Sequence, residues 1–136
     1  MGNGNVHAEV MESLRTKALP IALVGASNDP EKYGNIILKN LVNKGYSMIP
    51  INPKEAEIEG IPAVPSVKEL TQEIAFLNFV VPPKVTLSIL PLAKAAGIRA
   101  VWFQDGSFDD AVLAYAKENF PVVVSHACVM VVTNFV

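Results

Sequence analysis

The sequence predicts one α/β domain: a doubly wound, open parallel sheet of about five strands with helices on both faces, in three layers. Three observations carry this. Short apolar runs of four to eight residues, mostly β-branched or aromatic, recur along the chain. Their hydrophobicity is nearly continuous rather than alternating, as expected of strands covered on both faces. Between them lie stretches of helical spacing joined by short connections, and strand–helix–strand repetition implies parallel pairing. With 136 residues, 51% apolar and 18% charged, the chain can bury a core without disulfide or metal staples. It carries no internal repeat or linker, so residues 1–136 are expected to form a single domain.

An opening helix from about Val6 to Lys17 places Val6, Val10, Met11 and Leu14, with Ala18 beyond, against the sheet. The first strand is Ile21 to Val24. Tyr33, Ile36, Ile37, Asn40, Leu41 and Lys44 then follow the i, i+3, i+4 rhythm of a helix, and Gly45 supplies its left-handed C-cap. Ser47 to Ile51 is the second strand, Val67 to Gln72 a short helix, and Ile74 to Val81 the third strand. A helix over Val85 to Ala96 stops at Gly97. The fourth strand, Ala100 to Phe103, leads to a helix over Asp109 to Asn119, with Ser107 as its expected N-cap and Pro121 past its end. Val122 to Val124 is the fifth strand.

Eleven Lys and Arg against thirteen Asp and Glu give a net charge of −2, with no basic run, which argues against nucleic acid as the main partner. Cys128 is the single cysteine, and the two histidines, His7 and His126, are far apart, so neither a disulfide framework nor a zinc cluster is expected. The first residues show no signal peptide and no myristoylation pattern, and no window approaches a membrane span, so the expected location is the cytoplasm.

In an open parallel sheet, ligands bind beyond the carboxyl ends of the strands, where connectivity reverses. After the first strand come Gly25, Ala26 and Ser27, then Lys32 before a helix. Small residues here let backbone N–H groups approach a phosphate, with a tight turn in which Ser27 or Asn28 caps the helix as the alternative. The loop matches neither the dinucleotide G-x-G-x-x-G pattern nor a P-loop. After the second strand, Asn52, Pro53 and Lys54 stand where an NAD site places a carboxylate for the ribose hydroxyls. A cation there suits a ribose that carries a phosphate, as in NADP or coenzyme A; the alternative is a proline-bounded turn with an exposed lysine. Val81 and Pro82 offer a flat apolar wall for an adenine, or simply lead into the next helix. Gln104 presents a donor and an acceptor after the fourth strand, and Gly106 permits an unusual backbone angle.

Taken together, V-G-A-S at Val24 to Ser27, P-E-K at Pro30 to Lys32, I-N-P-K at Ile51 to Lys54, E-G-I-P at Glu59 to Pro62, V-P-P at Val81 to Pro83 and W-F-Q-D-G at Trp102 to Gly106 resemble the small bacterial and archaeal CoA-binding proteins. Those are similar to the nucleotide-binding domain that opens the succinyl-CoA synthetase alpha subunit. The resemblance runs from about Ala18 to Cys128 and implies a Rossmann-like fold holding coenzyme A in an extended groove. It implies Gly25, Ala26, Ser27 and Lys32 at the phosphates, and Asn52, Pro53 and Lys54 at the ribose 3′-phosphate. Val81 and Pro82 would then line the adenine, and Gln104 and Gly106 would border the pantetheine path.

No catalytic constellation emerges: His126 has only Ser125 and Cys128 as neighbouring candidates. The expectation is therefore binding of coenzyme A or an acyl-CoA without turnover, with a small NADP-dependent oxidoreductase as the alternative. Cys128 is expected to be a small buried cysteine; a thiol close to the coenzyme sulfur would permit a mixed disulfide. The family resemblance ends at the terminus, where eleven of fifteen residues from Val122 to Val136 are apolar. Such a tail is expected to pack into the core or into a second subunit of a homodimer.

Overall fold

The computed structural model describes residues 6–136, so Gly2 to Asn5, read above for a leader or acylation motif, lie outside the described residues. Five parallel strands form the sheet: β1 (Ile21–Val24), β2 (Met48–Ile51), β5 (Leu77–Phe79), β6 (Ala100–Phe103) and β7 (Val122–Val124), in the order β2-β1-β5-β6-β7. A separate antiparallel hairpin, β3 (Glu57–Ile58) with β4 (Ile61–Pro62), stands between β2 and β5 in the chain. The helices are α1 (Ala8–Thr16), α2 (Tyr33–Asn43), α3 (Pro83–Ala95), α4 (Asp110–Asn119) and the single turn α5 (Val129–Val132), with a 3₁₀ turn at Val67–Glu69.

Alternation along the strands divides the interior into two cores. Ile21, Leu23, Trp102 and Val124 face α1, α2 and α5, where Val10, Leu14, Ile37, Leu41 and Val129 meet them. Ala22, Val24, Phe79, Val101 and Phe103 face α3 and α4, covered by Leu90, Ala93, Val112 and Ala116. Every residue of β1, β5 and β6 is buried, as the unbroken apolar runs of β1 and β6 require; the polar Asn78 of β5 is buried with them. Trp102 stacks on Phe76 at 5.1 Å, and its indole N–H donates to the Ala127 carbonyl at 2.7 Å, so no polar atom of the ring is stranded. The three-layer Rossmann-like arrangement predicted from the sequence is what forms.

Strand β1 lies where the connectivity of the sheet reverses. The chain passes from β1 to β2 on one side and then crosses to β5 on the other, so connectivity reverses between the carboxyl ends of β1 and β5. Pro50 is tolerated because β2 is an edge strand, and Val64 covers part of that edge through bonds with the Pro50 carbonyl and the Asn52 N–H.

Several boundaries differ from the sequence reading. The N-cap of α4 is Asp109, whose side chain accepts from the Val112 N–H at 3.0 Å; Ser107 is buried and donates to the Gln104 carbonyl instead. The short helix over Val67 to Gln72 is one 3₁₀ turn, capped by Ser66 and ended at Leu70. The helix expected from Val85 begins at Pro83, a residue suited to the first helical position. It also continues through Pro91, because the Leu87 carbonyl left without an N–H partner belongs to an exposed turn. The apolar terminus divides: Val129 and Val132 enter the core, while Val131 and Phe135 are exposed. Lys44 at the end of α2 donates to the Met130 carbonyl and to Thr133 Oγ1 at 2.7 and 2.8 Å, fixing the last turn of α5. Among the described residues no helix is long and apolar enough to cross a membrane.

Candidate functional site

Two glycines shape the turn after β1. Gly25 has φ +102, a left-handed value, and a Cβ there would lie 2.6 Å from Val80 Cγ2 and 3.0 Å from Val81 Cγ1. The glycine thus lets the ends of β1 and β5 close on each other. Gly34, in the first turn of α2, is packed more tightly: a Cβ would lie 1.9 Å from the Gly25 carbonyl oxygen. The amino terminus of α2 therefore rests directly on the backbone of the β1–α2 loop, as a phosphate site at a helix start requires. Gly34 is absent from the residues singled out in the sequence. Its signal is a glycine inside a helix start, a costly choice unless a close approach demands it.

The loop between these glycines is held by side-chain amides. Asn52 Nδ2 donates to the Ala26 carbonyl at 2.9 Å, and Asn35 Nδ2 donates to the Ser27 carbonyl at 2.9 Å. In a trans peptide the N–H points opposite to its carbonyl, so these two bonds aim the Ser27 and Asn28 N–H groups away from the amides. Among the described residues neither N–H meets a protein acceptor. Ser27 Oγ accepts from the Asp29 N–H, which turns the chain toward Lys32, the residue before α2.

Beside this loop lies a cleft of about 330 Å³, lined by Gly25, Asn52, Pro53, Val67, Val81 and Val85 among others. Its walls are mainly aliphatic and proline surface, suited to a flat heteroaromatic ring. It unites four of the sequence-predicted residues from three strand ends. Asn52 reaches it with its amide already committed, since Oδ1 accepts from the Lys54 and Glu55 N–H groups at 2.7 and 3.0 Å. Lys54 is exposed just past this turn, and among the described residues neither Lys32 nor Lys54 enters an ion pair. Pro82 is the N-cap of α3 and is exposed, next to Val81 but outside the residues that line the cleft.

The remaining predicted residues stand elsewhere. Gln104, expected to offer its amide to the groove, is 1% exposed; Nε2 donates to Asn78 Oδ1 at 2.7 Å and Oε1 accepts from the Val129 N–H at 3.2 Å. It joins β5, β6 and α5 beneath the site. Gly106 is exposed with φ +88 in the loop before α4. Ala26 is buried, leaving only its backbone for a ligand.

Cys128 is half-buried, with Sγ 3.4 Å from the Tyr33 hydroxyl across the start of α2. Burial, and after it the neighbouring thiol, pushes the Tyr33 phenol well above its ordinary range. His126 adopts φ +60, with its Nδ1 3.0 Å from Ser125 Oγ and its ring edge-on to Phe108 at 5.0 Å. Among the described residues no group of three metal-ligating side chains assembles.

Comparison with known proteins agrees with this geometry. A family model described as CoA binding domain matches residues 20–134. A solved conserved hypothetical protein from Pyrococcus furiosus superposes with TM-score 0.80 at 42% identity, covering 83% of this chain and 97% of that one. The alpha subunit of an ADP-forming acetate–CoA ligase II from Pyrococcus furiosus is 39% identical over 82 residues, 60% of this chain. This chain spans only 18% of that subunit's length. An uncharacterized protein, YneT, of Bacillus subtilis is 27% identical over 124 residues, 91% of either chain. With the matched model spanning all five strands of the sheet and the glycine-shaped β1–α2 loop, the chain belongs to the CoA binding domain family.

Proposed function

We propose that this chain binds coenzyme A or an acyl-CoA through its nucleotide moiety at the carboxyl ends of β1, β2 and β5, without catalysing a reaction. The observation that carries the reading is the apolar cleft at the reversal of connectivity, with Gly25, Asn52, Pro53 and Val81 in its walls and the exposed Lys54 next in the chain after Pro53. The adenine lies in that cleft against Val81 and Pro82. Lys54, with Asn52 and Pro53 setting its turn, meets the ribose 3′-phosphate. The pyrophosphate meets the backbone of Gly25, Ala26 and Ser27, aided by the α2 amino terminus and by Lys32. The pantetheine arm then runs past Gly106, over the surface that Gln104 supports from below.

A phosphorylated ribose also occurs in NADP, so the ligand identity is tested by thermal unfolding with coenzyme A, 3′-dephospho-coenzyme A, NADP and NAD. Ligand at 100 times its dissociation constant stabilises a fold by about 2.7 kcal/mol, a shift of several degrees in a domain of this size. The reading expects the largest shift with coenzyme A, a smaller one with its dephospho form and little with NAD. A clear response to NADP with none to coenzyme A would replace it with the oxidoreductase alternative.

A further inference from the structure

None of residues 57–62 lines the cleft, yet the hairpin they form is tied by two hydrogen bonds to the β1–α2 loop and by a third to the first turn of α2. Asn28 pairs with it much as a strand backbone would: Nδ2 donates to the Glu57 carbonyl at 2.9 Å and Oδ1 accepts from the Glu59 N–H at 2.8 Å. Asn35 Nδ2 donates to Glu59 Oε2 at 2.7 Å. The same nitrogen holds the Ser27 carbonyl, so both of its hydrogens are used, and Asn35 is 1% exposed. Glu59 and Gly60 have φ +50 and +78, the two left-handed positions of a tight hairpin turn. Glutamate is a strained choice for the first of these, and its bond to the buried amide gives it a reason to be there.

We infer that Asn28, Asn35 and Glu59 are positioning residues, and that the hairpin is a strap that holds the β1–α2 loop in the shape that receives a pyrophosphate. The inference rests on the proposed coenzyme reading. Held by Asn35, the Ser27 carbonyl keeps the Asn28 N–H aimed away from the amide; without Glu59 that amide can rotate and the loop relaxes. The strap touches the loop rather than the cleft, so its loss acts on the pyrophosphate and not on the adenosine end.

The test uses the full chain carrying Asn28→Ala, Glu59→Asn or Glu59→Gln. Asparagine at position 59 keeps the left-handed turn but is too short to reach Asn35, whereas glutamine restores an acceptor at the same reach. Hydrogen exchange of the Asp29, Glu31 and Lys32 amides, each bonded within the loop, should accelerate about tenfold in ligand-free N28A and E59N and stay near wild type in E59Q. Calorimetric titration should then show coenzyme A weakened about tenfold in N28A and E59N, and adenosine 3′-monophosphate, which lacks the pyrophosphate, changed less than twofold. Unchanged exchange, or equal weakening of both probes, would overturn the strap while leaving the coenzyme reading intact. Wild-type protein that binds neither probe would overturn the coenzyme reading and the strap's role in it together.

Discussion

Replacing Gly34 with alanine is the sharpest test of how α2 is seated. In an open helical turn this change stabilises by about 0.5–1 kcal/mol, because alanine has less backbone freedom to lose. At Gly34 the new methyl would fall 1.9 Å from the Gly25 carbonyl oxygen and 2.8 Å from its carbon, where ordinary contacts begin at 3.4 Å. The obstruction is backbone and cannot swing aside. The start of α2 must therefore lift by more than an ångström, disturbing Ile37 and Leu38, both fully buried behind it. Overpacking costs about 1–3 kcal/mol, and a backbone obstruction belongs at the top of that range, so against the propensity gain a net loss of about 2 kcal/mol is expected. For a domain of this length that lowers the midpoint of thermal unfolding, followed by circular dichroism, by about 6–10 °C. A midpoint unchanged or raised in Gly34→Ala would refute the close seating of α2 on the β1 loop.

Two further outcomes follow from local chemistry. Removing the α4 cap with Asp109→Ala should cost about 1 kcal/mol in urea unfolding, since its carboxylate alone accepts the Val112 N–H; a negligible change would show that α4 starts elsewhere. Burial raises the Tyr46 phenol above its ordinary value of 10.0, with its hydroxyl donating to the Leu14 carbonyl at 2.8 Å. The folded state thus keeps this proton after the unfolded chain releases it, and stability should fall as pH rises past about 10. Tyr46→Phe should be less stable at neutral pH yet flatter through that alkaline window; an unchanged alkaline slope would contradict this assignment.

Much of the fold is legible because continuous apolar runs and helices with clear periodicity announce themselves. β1 and β6 are fully buried runs, and α2 stops where Gly45 turns left-handed, φ +91. The hairpin is silent at that level: its strands are two residues each, too short for any period, and only the Glu59–Gly60 dipeptide marks its turn. The four-residue α5 is hidden in the same way by an apolar tail. At the site, the sequence locates the strand ends but not which polar groups are free. Asn52 and Gln104 look like ligand contacts by position, whereas their amides are engaged within the protein through partners distant in sequence, Ala26 for one and Asn78 with Val129 for the other. Asn28 and Asn35 act through tertiary contacts that no local pattern encodes, and Gly34 shows only as a glycine in a helix start.

The proposed preference for a nucleotide whose ribose carries an extra phosphate rests on Lys54. It is tested most directly by calorimetric titration of wild-type and Lys54→Ala protein with coenzyme A and 3′-dephospho-coenzyme A. Wild type should prefer coenzyme A by about tenfold, roughly 1.4 kcal/mol, and Lys54→Ala should bind the two almost equally, chiefly through loss of coenzyme A affinity. A preference that survives the substitution intact would contradict the claim.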